Sequence, residues 1–426
     1  MIVPAIQPMS ESLGVTGSSK QNLLVSIYTL GYVVGPFVLG PMSEVYGRRP
    51  LLMISNIIFI VFNIGCSEAQ TFSQMAAFRF LSGIGGAGPL NVGGGILGDL
   101  WKAEERGKAS ALYSLGPLLG PSIGPVAGGF IAAKISWRWT FRIVIIVGSI
   151  SAIIGAFLLP ETYAPVLIQR KVQRMKKETG NNALISKFDK QRSTRQIIFQ
   201  AFVRPILMIT TQPILILLTL FQSIIFGTLY ILYVTIANVF ESKYNEKIEI
   251  ASLNYLAAGL GFIVGRQIGT RLMDKFYKKL KSRNGGIGTP EMRLVILLGP
   301  IVLIPSGMIL YGWSSQYKIF WLIPDIGLFL FGMGMMCVTF VINAYILDIY
   351  TLYAASALAG NNSVRSVFAF VFPLFAGSLY GKLGYGWGNT LLGLIIFFLG
   401  GIGTLLLYHY GPWLRARSPY AAGGGD

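Results

Sequence analysis

Long apolar runs alternate along the chain with short polar and charged stretches. Segments of about 18 to 25 apolar residues are long enough to cross a hydrocarbon layer about 30 Å thick as a helix. Eleven such runs occur, at approximately 22–41, 51–67, 75–98, 109–133, 143–159, 206–235, 250–270, 292–313, 319–343, 355–380 and 388–410. Each predicts a membrane-spanning helix, so the expected fold class is an all-α membrane protein.

Composition agrees: 53% of the 426 residues are hydrophobic and 12% charged, where a soluble domain carries about 25% charge. The net charge of +18 would suit nucleic acid if the basic residues formed one face. They alternate with the spans instead. Arg48, Arg49, Lys102, Arg106, Lys108, the basic stretch between Gln169 and Arg204, the group from Arg271 to Arg293, Arg415 and Arg417 fall on one side. The other side holds fewer, among them Lys134, Arg138, Lys243 and Lys382. The richer side is cytoplasmic by the positive-inside rule, which puts Lys187 inside and Ser242 outside. The partners this implies are a lipid bilayer and no nucleic acid. Two cysteines, Cys66 and Cys337, and a single histidine, His409, provide no disulfide framework, metal site or cofactor site.

The central basic stretch divides the spans unequally, five before it and six after. The expected organisation is an N-terminal transmembrane bundle over 1–160, a basic cytoplasmic linker over 161–205, a C-terminal bundle over 206–417 and a cytoplasmic tail over 418–426. Two six-span halves would require one more helix at the start, and Met1 to Pro8 reads as the outer end of that helix, as in a truncated start. An internal repeat supports two halves. Gly40-Pro-Met-Ser-Glu44-Val-Tyr-Gly47-Arg48-Arg49 follows the first run, and Thr270-Arg-Leu-Met-Asp274-Lys-Phe-Tyr277-Lys278-Lys279 follows the seventh, with the same acid-to-base spacing. In the first copy, Glu44 is placed to pair with Arg48 or Arg49 where helix ends must lock or part.

The fourth run repeats glycine every four residues, with Gly116-Pro117, Gly120-Pro121, Gly124-Pro125 and Gly128-Gly129. This spacing puts the glycines on one face, where another backbone can approach closely, and the prolines remove ladder donors and make the helix bendable. Arg79 lies within the third run and Arg365 within the tenth. A guanidinium within a bilayer is costly unless it faces a partner or a cavity, so both are candidates for proton coupling beside an acidic group. Arg266 is expected to snorkel to the cytoplasmic interface.

The Gly40 to Pro50 segment resembles the cytoplasmic loop signature of the major facilitator superfamily. The fourth run resembles the antiporter signature of that family's fifth helix, and Arg79 its fourth-helix arginine. Pro160-Glu-Thr-Tyr, Asn343-Ala-Tyr345-Ile-Leu-Asp348, Ala354 to Asn361 and Leu383-Gly-Tyr-Gly-Trp387 resemble fungal twelve-spanner drug:proton antiporters. The resemblance implies two pseudo-symmetric six-helix bundles with the first helix missing. It also implies export of a drug, toxin or secondary metabolite in exchange for protons, by a monomer in the plasma membrane. Proton-carrying candidates are Asp325, Asp348 and Glu44; substrate-contact candidates are Gln222, Tyr230, Asn343 and Tyr345. The alternatives are a proton-coupled nutrient symporter and a transport-inactive product. No catalytic triad or ligand set is present in the sequence, so an enzyme is not expected.

Overall fold

The computed structural model describes residues 1–101, 109, 112–186 and 194–421. Lys102, Arg106, Lys108, Lys187 and the end of the tail lie outside these residues. A short helix, α1 (Ile6–Ser12), precedes α2 (Ser18–Tyr46). Gly47 then turns the chain at φ 103°, a region that disfavours side chains, into α3 (Arg48–Glu68). Next come α4 (Phe72–Leu100), α5 (Leu115–Lys134) and α6 (Trp137–Leu158). Helices α7 (Ala164–Thr179) and α8 (Thr194–Thr211) lead into the second half.

That half consists of α9 (Pro213–Tyr244), the single turn α10 (Ile248–Ala251), α11 (Tyr255–Arg283), α12 (Leu298–Gln316), α13 (Leu322–Ile349) and α14 (Ala354–Ala416). Helix α14 is two spans joined at Gly384, whose φ of 69° lies outside helical space. Each of the eleven apolar runs therefore corresponds to a helix or a limb of one, with one correction. The run at 206–235 is broken at Gln212, because Pro213 forces the residue before it out of the helical region, and Gln212 sits at φ −100°, ψ 104°.

Both halves pack in the same way. Helix α4 lies against α2 and α3, and α3 against α6; α13 lies against α11 and α12, and α12 against α14. The α2–α4 crossing is closed by Gly31 and Gly83: a Cβ at Gly31 would stand 2.5 Å from the Gly83 carbonyl carbon. The halves meet mainly through two pairs, α2 with α14 and α5 with α11. Matching α2 to α11 and α5 to the first limb of α14 exchanges these two pairs, which is what a two-fold repeat requires.

The α5–α11 contact is concentrated at the end carrying Lys134, the outer end by the positive-inside rule. Cβ atoms at Gly129 and Gly259 would collide with Ser252 and Ser122, and Lys134 pairs with Glu249 of α10 at 3.9 Å. At the inner end, Cβ atoms at Gly116 and Gly120 would meet no described atom within 4 Å. Across α2 and α14, Asn22 Nδ2 donates to the Pro373 carbonyl at 2.8 Å, again toward the outer side.

Cysteine labelling tests this topology, because Cys66 and Cys337 are both buried. A cysteine at Ser242 should react with a membrane-impermeant maleimide in intact cells, and one at Ala183 only after permeabilisation. Equal labelling of both in intact cells would refute the assignment.

Candidate functional site

Thr71 caps α4, accepting from the Gln74 amide at 3.3 Å, and two turns further in the helix carries Arg79. This side chain is only 7% exposed. It reaches across the glycine-tight crossing to α2, where its Nε donates to the Leu24 carbonyl at 2.8 Å and Nη2 to the Val25 carbonyl at 3.1 Å. A carbonyl oxygen has two lone pairs, so one that already accepts a helical bond can take a guanidinium as well. The Arg79 guanidinium also stands 5.1 Å from the centre of the Tyr28 ring. The Tyr28 hydroxyl is 3.1 Å from that of Tyr32, which donates to the Gly86 carbonyl at 3.2 Å.

Arg365, on the first limb of α14, faces this group from the second half. Its guanidinium lies 3.9 Å from the centre of the Phe226 ring on α9, a cation–π geometry, and it has no hydrogen bond or ion pair among the described residues. One turn beyond Phe226, Tyr230 lies in the neighbourhood of Tyr28, Arg365 and Arg79. The rings of Phe368 and Phe372 lie tilted to one another with centres 5.4 Å apart, and Phe372 packs on Gly227. Ser363 Oγ donates to the Val33 carbonyl at 3.4 Å, joining this turn of α14 to α2. Two arginines and a group of aromatic rings thus meet at the junction of α2, α4, α9 and α14.

The helix ends that the positive-inside rule assigns to the cytoplasm carry two matched ion pairs. In the first half, Arg48 Nε donates to Asp99 Oδ2 at 3.3 Å, Arg48 Nη1 donates to Ser43 Oγ at 2.8 Å, and the guanidinium sits over Tyr163 at 4.8 Å. In the second, Arg293 holds Asp348 with two bonds, at 2.6 and 3.3 Å, and sits over Tyr277 at 4.9 Å. Asp99 and Asp348 end equivalent helices, α4 and α13. Glu161 accepts from the backbone amides of Arg48, Thr162, Tyr163 and Arg49 at 2.9 to 3.3 Å. Burial raises its pKa, but the four amides outweigh burial and hold the carboxyl below its ordinary value.

Residues 1–373 match the Major Facilitator Superfamily. The chain belongs to that superfamily. It is 42% identical over 423 residues, 99% of this chain and 84% of the relative, to the efflux pump vrtL of Penicillium aethiopicum. It is 40% identical over 421 residues, 98% and 78% of the two chains, to the efflux pump radE of Floropilus chiversii. Among solved structures, the xylose transporter XylE of E. coli in a partially occluded inward open conformation superposes with a TM-score of 0.67. That match covers 96% of this chain and 94% of the other at 14% identity, a likeness of fold.

The structure of this major facilitator chain distributes the predicted site residues unevenly. Arg79, Arg365 and Tyr230 come together. Gln222 does not line an open surface: it is fully buried, and its Oε1 accepts from Asn361 Nδ2 at 2.7 Å, bridging α9 and α14. Tyr345 is buried near Glu291 and Arg415 at the cytoplasmic end. Asn343 has a buried, unpartnered Oδ1 elsewhere on α13.

Among the described residues, the acids named as proton carriers all lie at helix ends. Glu44 is exposed and unpaired among the described residues. It is not the partner of Arg48 or Arg49: Arg48 takes Asp99, while Arg49 Nη2 donates to the Ala156 carbonyl at 2.6 Å. Asp274, Lys278 and Lys279 lie exposed on the cytoplasmic extension of α11. Asp348 is held by Arg293, and Asp325 lies in the first turn of α13 at the outer end, with a buried and unpartnered Oδ1. No carboxylate stands beside Arg79 or Arg365 among the described residues, so the acid expected as their neighbour is not there.

Along the glycine helix, Gly124 and Gly128 face the backbone of Met1 and Gly129 faces Ser252, while Gly116 and Gly120 are free. Sequence reasoning missed Asp99, Glu161 and Arg293. The repeat held a signal for one of them, since Asp99 and Asp348 occupy matching helix ends.

Proposed function

We propose that this chain is an efflux transporter of the plasma membrane that exports a small organic molecule by alternating access, in exchange for protons. The observation that supports it most is the group of two arginines and aromatic rings at the junction of the two halves, in a chain about 40% identical over nearly its whole length to proteins named efflux pumps. Contact between α5 and α11 on the outer side, with their inner glycines free, suits a state that takes its cargo from the cytoplasm. Rocking of the halves about this junction then presents the cargo outward. In this reading protons arrive at the outer mouth, where Asp325 has a buried oxygen with no partner.

Cells expressing the protein should accumulate several-fold less of an exported aromatic dye than control cells. A protonophore should abolish the difference, and Asp325→Asn should weaken it without lowering surface expression. Proton-dependent uptake of a nutrient in the same cells would replace export with symport.

A further inference from the structure

The arginines at the junction hold positive charge that no carboxylate among the described residues neutralises. Arg79 is bound only to neutral carbonyls, and its Nη1 has no hydrogen bond among the described residues. Arg365 has only the face of Phe226. Guanidiniums stay protonated under all ordinary conditions, so the junction carries two cations. All acids in the described spans lie at span ends, where Asp99 and Asp348 are already claimed by Arg48 and Arg293. A buried cation without a counter-charge is expensive. The missing charge is one that a ligand can supply.

We propose that the molecule bound at this junction is an organic anion, a carboxylate, enolate or phenolate on a flat aromatic or conjugated body. The guanidinium forks match the geometry of a two-oxygen anion. Tyr28, Tyr230, Phe226 and Phe372 provide ring faces and edges against which a planar body stacks. A cationic amphiphile would face the same rings but would be repelled by both arginines, so the site selects by charge sign. For an exported anion, a membrane potential negative inside adds to the driving force.

This inference takes its direction of transport from the efflux reading, but binding can be tested without any flux. Fluorescein and rhodamine 123 share a xanthene body, one anionic and one cationic, and both report binding to the purified full chain by fluorescence anisotropy. Fluorescein should bind about tenfold or more tightly than rhodamine 123, the scale of a partly hydrated charge-assisted contact. Its affinity should fall as salt is raised.

Arg365→Gln should weaken fluorescein binding about tenfold and leave rhodamine 123 bound no more weakly than before, since a repelling charge is removed, while Arg365→Lys should retain most of the anion preference. If Arg365→Gln does not yield folded protein, the salt titration of the unaltered chain decides between the dyes. Tighter or equal binding of rhodamine 123, binding of neither dye, or an anion affinity indifferent to both salt and Arg365→Gln overturns the proposal. An anion preference in a protein that shows no export would overturn the efflux reading alone.

Discussion

Replacing Arg79 by alanine should reduce export at least about 100-fold, equivalent to about 2.7 kcal/mol of lost stabilisation of the transport barrier, with surface expression close to that of the unaltered protein. The Leu24 and Val25 carbonyls that Arg79 touches sit within α2 and keep their helical partners when the guanidinium is removed. Alanine therefore leaves no orphaned donor, and it relieves the cost of burying a charge. The charge-assisted bonds that are lost, roughly 1.5 to 3 kcal/mol each, are offset in part by that relief.

What cannot be replaced is the positive charge beside Tyr28 and Tyr230 and the tie between α4 and α2. Lysine should recover little, because one ammonium cannot span two successive carbonyls as the planar fork does. The check is initial efflux rate normalised to surface-biotinylated protein. Export within twofold of normal would mean that Arg79 is only a strap between two helices.

The double substitution Gly116→Leu and Gly120→Leu should abolish export while leaving the protein folded. Among the described residues neither position has a neighbour within 4 Å of an added Cβ, so leucine fits in this state. Replacing helical glycine also favours the helix by up to about 1 kcal/mol per site. The obstruction arises in the opposite state, when the inner half of α5 must close on α11 as its outer half does here. Overpacking at such a seam costs typically about 1 to 3 kcal/mol or more, enough to trap the present arrangement.

The comparison that isolates this effect is Gly259→Leu, whose side chain collides with Ser122 in the present state and should lower the melting temperature in detergent. A double variant that melts normally but transports at the normal rate would show that the inner halves never approach.

The two arginine signals and the cytoplasmic loop were legible because charge within or beside an apolar run stands out against its surroundings. Their partners were not. Glu44 looked like the mate of Arg48 because it is four residues away, yet the carboxylate that arrives is Asp99, fifty-one positions on. Gln222 reads as a substrate-contact candidate because it is polar in a span, and its Oε1 is met by Asn361, 139 positions on.

By itself the sequence determined the all-helical membrane fold, the spans and their repeat, since hydrocarbon solvent forces the backbone to satisfy its own hydrogen bonds within each segment. Tertiary structure alone decided which charges are paired and which are left open. Those pairings depend on helices from distant parts of the chain crossing at small residues, as at Gly31 and Gly83, and the distance between two residues along the chain does not encode their distance across the bundle.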